Sequence, residues 1–376
     1  MKKKPRILAI YTDWNINNDR LAENSFGGVT YYRLHKPIQA LSEYFDIDLL
    51  GKEITTDYGD TPAEIWGKLI PNYDLIWIKQ VDNRVAISNL LAAVEHFGKK
   101  LIIDFDDNYL DVLPGQPAYE YFYPGSEKMA TVGTSMALAN GMMTSTEPLK
   151  KKYKDHVKKT HNVDQTIDVL PNFNDYTDWM FKRKEHKDDK VRIGYAGSTT
   201  HNADLEIVIP HIINILKKYP QAQFEILGSI AREAKEDFLN KFGDVKDRVF
   251  IFYGTPRWEG YPKLLCNMGW DIGVAPLEDN DFTSSKSHIK WMEYAMAGVP
   301  TIASKVYPYY RNIGKLKTIV DGETGFLGNW EENLSKLIEN KKLRRKIATN
   351  ASEYIKENWQ WKDNINKWVR VLNKYI

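Results

Sequence analysis

Two lysines and a glutamate in the second half of the chain recur at helical spacing. Lys286, Lys290 and Glu293 are four and three residues apart, so on a helix predicted over residues 286–297 they would share one face. Ammonium groups donate hydrogen bonds to phosphate oxygens, and a carboxylate accepts hydrogen bonds from a pair of hydroxyls. The spacing therefore predicts a site for a ligand that carries both phosphates and a sugar. The same spacing is also typical of a solvated, self-paired helix surface.

Carboxylates cluster after an apolar strand in the first half of the chain. The run Asp104-Phe-Asp106-Asp107-Asn108 begins at the last residue of a strand predicted over residues 101–104. Clustered like charges raise one another's pKa and can create a proton acceptor. We therefore predict that Asp106 or Asp107 handles an acceptor hydroxyl or orients a sugar. The alternative without chemistry is that Asp104 caps a helix and Asn108 begins a loop.

A turn of small residues follows a strand at the start of the second half. Gly194-Tyr-Ala-Gly197-Ser198 ends a strand predicted over residues 191–195 and leads into a helix. Backbone N–H groups at such a turn can bind a phosphate, which makes Gly197 and Ser198 candidate ligand-binding residues. An ordinary glycine-rich turn has the same kind of sequence.

The elements that would position these residues alternate between short apolar strands and helical patterns, as in parallel sheets covered on both faces. Strands are predicted at residues 7–11, 45–50, 75–78, 101–104, 141–144, 167–170, 191–195, 224–227, 249–252, 272–275 and 301–303, and further helices at 29–43, 85–97 and 127–140. Residues 171–190 lack periodicity and are rich in turn formers, as a hinge between domains would be. The pattern predicts two successive doubly wound α/β units.

Composition and charge are those of a globular protein without a strong electrostatic preference. A chain of 376 residues is too long for one ordinary core, so two domains are expected. Fifty-two basic and fifty acidic residues leave a formal charge of +2, which does not by itself require a nucleic-acid or membrane partner. Cys266 is the only cysteine, which excludes an intrachain disulfide and predicts a buried, inert thiol. No apolar run near the start is long enough for a signal peptide or a transmembrane segment, so a cytoplasmic location is expected.

Residues 286–300 also carry a family resemblance. Glu293-Tyr-Ala-Met-Ala-Gly298-Val-Pro300 matches the second half of a motif typical of the retaining glycosyltransferases of family 4, which have the fold called GT-B. The chain resembles this group most strongly over residues 191–361, and a subgroup with Lys-Ser-x-x-Lys-x-x-Glu is closer than the full pattern. The full pattern places a first glutamate where this chain has Ser285. The departure concerns how the hydroxyls of the donor sugar are recognised.

The resemblance implies an α/β protein of the GT-B type, with two doubly wound Rossmann-like domains facing across a cleft. The expected parts are an acceptor domain over residues 1–180, a nucleotide-sugar donor domain over 181–357, and a C-terminal helix over 358–376 that packs back on the first domain. The implied reaction moves a sugar, with retention, from a nucleotide-sugar such as a UDP-sugar to a hydroxyl acceptor. No cofactor is expected, because ammonium groups can offset the charge of the departing diphosphate without a metal.

Single residues receive roles from the same resemblance. The implied donor-binding set is Gly27, Gly28, Gly197, Ser198, His201, Lys286, Lys290 and Glu293. The glutamate would hold the ribose hydroxyls, and the lysines would meet the diphosphate. The paired glycines would approach the donor from the first domain, although a helix N-terminus also favours a permissive turn. The histidine lies where the subgroup also places one, and it could equally cap the following helix.

Other functions fit parts of the same sequence. Basic runs occur at residues 150–154, 158–159, 182–184 and 341–346. They would suit phosphate contacts in a phage-type enzyme that glycosylates a hydroxymethylated DNA base. A nucleotide-sugar epimerase would share the two-domain architecture. The missing first glutamate also leaves a non-catalytic sugar-nucleotide-binding protein as an alternative.

Two further patterns concern the first domain. Asp104 and Asp106 have the form of the metal-binding pair of the other main glycosyltransferase fold, but that fold carries the pair in a single nucleotide-binding domain. The aromatic side chains between residues 113 and 124 could stack on a sugar, which predicts an acceptor-facing loop. Ordinary loop packing explains the same aromatic residues.

Overall fold

The computed structural model describes residues 3–11, 28–50, 61–79, 83–198, 202–253 and 258–376. Within these ranges the chain forms two compact units, each built on one six-stranded sheet. The first unit comprises Met1–Phe173, Ser285–Ser287 and Trp361–Ile376, and the second comprises Asn174–Ser284 and His288–Gln360.

The first sheet is parallel throughout. Its strands are β1 (Arg6–Tyr11), β2 (Asp46–Leu50), β3 (Leu75–Lys79), β4 (Lys100–Phe105), β5 (Gly141–Thr144) and β6 (Ile167–Val169). They lie in the order β2-β1-β3-β4-β5-β6, so the sheet grows in opposite directions from β1 and β3. Every residue of β3 is buried, as is typical of parallel strands covered on both faces.

The second sheet is also parallel and has the strand order of a dinucleotide-binding fold. Its strands are β7 (Val191–Gly197), β8 (Ala222–Gly228), β9 (Val249–Phe252), β10 (Ile272–Ala275), β11 (Thr301–Ala303) and β14 (Phe326–Leu327). Two further short strands, β12 (Asn312–Ile313) and β13 (Leu316–Lys317), form a separate antiparallel hairpin. The order β14-β11-β10-β7-β8-β9 places a topological switch point between β7 and β10.

Helices connect the strands in both units. They are α1 (Gly28–Thr30), α2 (Lys36–Leu41), α3 (Pro62–Leu69), α4 (Arg84–His96), α5 (Glu127–Leu138), α6 (Glu147–His161), α7 (Asn202–Lys218), α8 (Lys235–Asn240), α9 (Tyr261–Met268), α10 (Asp281–Ser284), α11 (Ile289–Met296), α12 (Tyr307–Tyr310), α13 (Trp330–Glu339), α14 (Lys341–Asn358) and α15 (Trp361–Leu372). A π-helical turn, Tyr31–His35, joins α1 to α2. In the part of the chain that the structure describes, no helix is both long and apolar enough to span a bilayer.

The predicted strands are confirmed, with ends that shift by one or two residues at most. Helix α6, which carries the basic runs of residues 150–159, was not predicted. Its local signals were present, because Leu149, Tyr153 and Val157 recur every four residues and are buried. The Thr146 hydroxyl also accepts a hydrogen bond from the Leu149 N–H and caps the helix.

The helix predicted over residues 286–297 is wrong at its start. Helix α11 begins at Ile289, so Lys286 precedes it and does not share a helical face with Lys290 and Glu293. The residues around Lys286 instead make hydrogen bonds within the first unit, which compete with helical pairing. The predicted end is correct, since Gly298 has a φ of 71° and follows the last turn.

The C-terminal helix α15 belongs to the first unit and is amphipathic. Trp368 is fully buried, and its ring centroid lies 5.6 Å from that of Trp77 in β3. Trp361 packs at 5.1 Å from Trp368. These large rings place the end of the chain in the core of the first unit.

Candidate functional site

The switch point of the second sheet opens where β7 and β10 stop pairing. Their register ends at Gly194 and Gly273, although both strands continue. The hydroxyl of Tyr294 in α11 bridges the gap, because it accepts the Ala196 N–H at 2.8 Å and donates to the Val274 carbonyl at 3.4 Å. Backbone groups of the diverging strands are thus satisfied by a buried side chain. Ligands of open α/β sheets bind in such a crevice.

Lys290 approaches this switch point from the first turn of α11. Its Nζ donates a hydrogen bond to the Ala196 carbonyl near the end of β7. The same ammonium group lies 4.6 Å from the centroid of the Tyr195 ring, at a distance where a cation and an aromatic face attract. A positive charge is therefore held at the carboxyl end of the strand that borders the crevice.

Glu293 lies one turn further along α11 and is held by a tyrosine. Its Oε2 accepts a hydrogen bond from the Tyr261 hydroxyl of α9 at 3.0 Å, and the residue is 8% exposed. Burial, and then the charge of Glu293, raise the pKa of Tyr261 well above its usual value. The phenol therefore stays a donor and fixes the carboxylate, which is an acceptor suited to hydroxyl groups.

Packing also requires a small residue at the end of β7. A Cβ at Gly197 would lie 2.7 Å from the Tyr195 hydroxyl oxygen, so no larger residue fits without movement. The Gly197 carbonyl accepts the Ser229 N–H at 2.7 Å. Ser198 follows the strand and is exposed, while His201 lies outside the described residues. The phosphate-binding role of this turn stays a prediction.

The first carboxylate of the predicted cluster lies within the strand, as the last residue of the strand predicted over residues 101–104. Asp104 is in β4, fully buried, and receives two hydrogen bonds from Arg33, at 2.8 Å from Nε and 2.5 Å from Nη2. Arg33 also donates to the Leu170 carbonyl and the Asn172 side chain. Asp104 is therefore a partner of the core arginine, not a helix cap. The other structural alternative is correct, since Asn108 accepts the Leu110 N–H in a loop.

Asp106 lies just beyond β4 and has an unusual environment. It is 9% exposed, and burial raises its pKa to about 7. Lys79, at the end of β3, lowers that pKa, whereas Asp107 raises it. Lys79 is itself 3% exposed and is the register partner of Asp104. At neutral pH a carboxyl group with this pKa can both accept and release a proton.

Asp107 is paired with one of the predicted donor-binding lysines. Lys286 Nζ lies 3.0 Å from Asp107 Oδ1, and the two side chains are 17% and 34% exposed. The catalytic and the phosphate-binding candidates are therefore direct neighbours, which their separation of 179 residues along the chain did not suggest.

The remaining candidates of the first unit are only partly described. Gly27 lies outside the described residues, and Gly28 begins α1. A Cβ at Gly28 would meet no described atom within 4 Å. In the loop after β4, Phe122 is buried and packs 4.7 Å from Tyr109, while Tyr121 and Tyr123 are each 48% exposed. Packing explains the phenylalanine. The Tyr121 ring centroid lies 4.7 Å from the Lys128 ammonium group, and the Tyr123 ring centroid lies 6.5 Å from that of Tyr119.

Three residues that organise these sites were missed from the sequence. The sequence does mark Lys79, because it is a single charged residue at the end of an otherwise apolar strand. It does not mark Arg33 and Tyr261, because their partners are distant in the chain. Across the described ranges, no group of three or more His, Cys, Asp or Glu side chains is arranged to hold a metal ion.

Comparison with known proteins identifies the fold. No protein-family model and no curated protein sequence matches the chain. Sucrose-phosphate synthase from Thermosynechococcus elongatus superimposes with a TM-score of 0.68 at 14% identity, covering 99% of both chains. Anabaena Alr3699/HepE in complex with UDP gives a TM-score of 0.62 at 12% identity, covering 99% of this chain and 100% of that one.

A third similar structure is longer than this chain. TarM gives a TM-score of 0.59 at 14% identity, covering 83% of this chain, which spans only 58% of TarM. Likeness at such low identity shows the fold alone. The predicted fold class is confirmed: the chain has the GT-B fold of these proteins, with two Rossmann-like domains.

Proposed function

We propose that this protein is a glycosyltransferase that moves a sugar from a UDP-sugar to a hydroxyl acceptor, with retention of configuration. The observation that carries the proposal is the pair Lys290 and Glu293, one turn apart at the switch point of a sheet with Rossmann strand order. Similarity to HepE, which was crystallised with UDP and with UDP-glucose, supports the choice of donor.

The donor would be held mainly by charge-assisted hydrogen bonds. Glu293, oriented by Tyr261, would accept the ribose hydroxyls, and Lys290 would exchange its bond to the Ala196 carbonyl for a phosphate oxygen. Lys286 would make a second phosphate contact. Such bonds contribute about 1.5–3 kcal/mol each, so two lysines would supply a large part of the donor affinity.

The glycine-rich turns would complete the donor site. Gly197 and Ser198 would bring small side chains and N–H groups to the phosphates. Gly27, Gly28 and His201 keep the donor-binding role that the family resemblance implies. Two ammonium groups would offset the charge that grows on the departing diphosphate, so we expect activity without an added metal ion. Turnover that requires a divalent cation after treatment with EDTA would contradict this part of the proposal.

The acceptor hydroxyl would be served by the carboxylates after β4. Asp106 is the better proton acceptor, because a pKa of about 7 leaves it partly ionised at neutral pH. Asp107, beside Lys286, would help to orient the reacting groups. Tyr121 and Tyr123, on the same loop, would offer rings to a sugar acceptor.

Nucleotide binding tests the donor site directly. We expect UDP to bind the wild type in isothermal titration calorimetry, and the variants Lys290→Met and Glu293→Gln to bind it about tenfold more weakly or worse. Lys336→Met and Glu332→Gln are matched controls, since this pair lies on α13 with 48% and 59% of the side chains exposed. Equal losses in the control variants, or no binding of UDP or any UDP-sugar to the wild type, would refute the donor assignment.

Product analysis separates transfer from the competing functions. The wild type is incubated with UDP-glucose, with and without sugar acceptors, and the products are identified by NMR. A glycosylated acceptor with retained configuration supports the proposal. An epimerised nucleotide-sugar formed without acceptor indicates an epimerase, and tight UDP binding without any turnover indicates a binding protein.

A further inference from the structure

Three consecutive residues, Ser285–Ser287, are held by the carboxyl edge of the first sheet. Thr146, two residues beyond β5, donates its hydroxyl to the Ser285 carbonyl at 2.7 Å. Asn108, three residues beyond β4, donates to the Ser285 hydroxyl at 3.3 Å. Ser285, which stands where the family motif has a glutamate, therefore anchors the chain.

The other end of the segment is anchored through the buried arginine. Asn172 donates from Nδ2 to the Ser287 hydroxyl at 3.0 Å, and its Oδ1 accepts from Arg33 at 3.0 Å. Asn172 is 1% exposed, so its amide is fixed by these partners. With both flanking serines anchored, the backbone of Lys286 has little freedom, and its ammonium group stays within reach of Asp107.

The ion pair between Lys286 and Asp107 is exposed enough for an anionic ligand to replace the carboxylate. Lys286 is 17% and Asp107 34% exposed, which leaves the pair accessible to a soluble anion. A partly exposed pair of this kind contributes about 1 kcal/mol or less, and a diphosphate carries more negative charge than one carboxylate. A diphosphate could therefore displace the carboxylate, but only after overcoming its hold on the lysine.

We propose that Asp107 competes with the diphosphate of the donor for Lys286. This inference rests on the proposed function, because it assigns Lys286 to the donor phosphates. In the unliganded protein Asp107 neutralises the lysine. Donor binding transfers the lysine to phosphate and ends its pairing with Asp107, so the Asp107 carboxylate can orient an acceptor only when a donor is present.

The competition predicts an unusual effect of removing a charge from the candidate site. Asp107→Asn should bind UDP about fivefold more tightly than the wild type, because Lys286 no longer has to leave a carboxylate. Lys286→Met should bind UDP about tenfold more weakly, since a phosphate contact is lost. In the Lys286→Met background, Asp107→Asn should have no further effect.

The control is a carboxylate on the same loop. Asp111 is 31% exposed, pairs with Lys152 at 3.1 Å and accepts a hydrogen bond from Asn108 at 2.8 Å. Asp111→Asn therefore removes one charge from this loop, keeps an amide oxygen for Asn108 and leaves the Lys286–Asp107 pair in place. UDP affinity is measured by isothermal titration calorimetry for the wild type, for each single variant, and for both Asp107 variants in the Lys286→Met background. Asp107→Ser is a second variant in case the amide disturbs the loop, whose backbone is also held by the Tyr153 hydroxyl on the Asp107 carbonyl.

Each outcome has one meaning. Tighter binding of Asp107→Asn or Asp107→Ser, lost in the Lys286→Met background, supports the competition. Unchanged or weaker binding in both Asp107 variants overturns it, as does a gain that persists without Lys286 or appears equally in Asp111→Asn. Absence of UDP binding to the wild type would instead refute the proposed function and this inference with it.

Discussion

Arg33 and Asp104 form a buried ion pair in the first unit, and the substitution Arg33→Met tests how much stability the pair contributes. Both side chains are fully buried, and the guanidinium group makes two hydrogen bonds to the carboxylate. Arg33 also donates to the Leu170 carbonyl and to Asn172, and its guanidinium carbon lies 5.0 Å from the centroid of the Trp368 ring. Methionine would preserve much of the apolar contact and remove every one of these donors.

The expected loss follows from what remains after the substitution. Asp104 would be left buried without its partner, and breaking a buried pair in this way costs about 3–5 kcal/mol of the free energy of unfolding. A surface pair offers the comparison. Arg6 and Asp48 lie 2.9 Å apart with 36% and 54% of their side chains exposed, so Arg6→Met should cost about 1 kcal/mol or less.

The loss from Arg33→Met should also depend on pH. Burial raises the pKa of Asp104 and Arg33 lowers it, so without the arginine the pKa rises further. In the unfolded chain the Asp104 carboxyl has a pKa of about 3.9, so above this pH the folded variant binds more protons than the unfolded one. Unfolding free energy therefore increases as the pH falls, by up to about 1.4 kcal/mol per pH unit. The variant should be closer to the wild type at pH 6 than at pH 8.

Urea unfolding followed by circular dichroism at pH 6 and pH 8 measures both effects. The double variant Arg33→Met/Asp104→Asn is the control for pH, because it cannot ionise at position 104 and should show the same loss at both values. The reasoning is refuted if Arg33→Met unfolds like Arg6→Met. It is also refuted if the deficit of Arg33→Met grows as the pH falls.

Three further predictions concern single groups. Burial and the charge of Arg311 lower the pKa of His288, so this side chain stays neutral in the folded state. Since the unfolded state takes up a proton near pH 6.5, the free energy of unfolding should fall by about 1.4 kcal/mol between pH 7.5 and 5.5. Urea unfolding of His288→Gln should lack this loss. If Asp106, with its pKa of about 7, is the proton acceptor, turnover should rise about tenfold from pH 6 to pH 8 and collapse in Asp106→Asn, as steady-state kinetics would show. Tyr261→Phe removes the hydroxyl that holds Glu293 and should weaken UDP binding about fivefold by calorimetry; unchanged affinity would remove Tyr261 from the site.

Much of the fold could be predicted because its signals are local. Strands such as β3 and β10 are short apolar runs between turn residues, and buried parallel strands need no more than that to be recognised. The buried thiol of Cys266 also follows from its apolar helical context, and burial raises its pKa to about 11. Helix α6 was missed although its apolar spacing was visible, since its lysines were interpreted only as a charged cluster.

The candidate site could be predicted only in part, because its decisive contacts join distant residues. Lys290 and Glu293 were found from their spacing, but the hydroxyl of Tyr261 that orients the glutamate comes from another helix. The spacing of Lys286 suggested the same helical face. Hydrogen bonds from Thr146 to Ser285 and from Asn172 to Ser287 hold this segment outside the helix, and no local sequence pattern encodes them.

By itself, the sequence determined the alternation of strands and helices, the division into two doubly wound units, and the residue types able to bind phosphates and hydroxyls. These follow from periodicity and side-chain chemistry, which act over a few residues. Only the tertiary structure decided which charges meet. It placed Asp104 of β4 against Arg33 of the π-helical turn, and Asp107 against Lys286 of the segment before α11. These partners are 71 and 179 residues apart in the chain, so only the packing of the first unit brings them together.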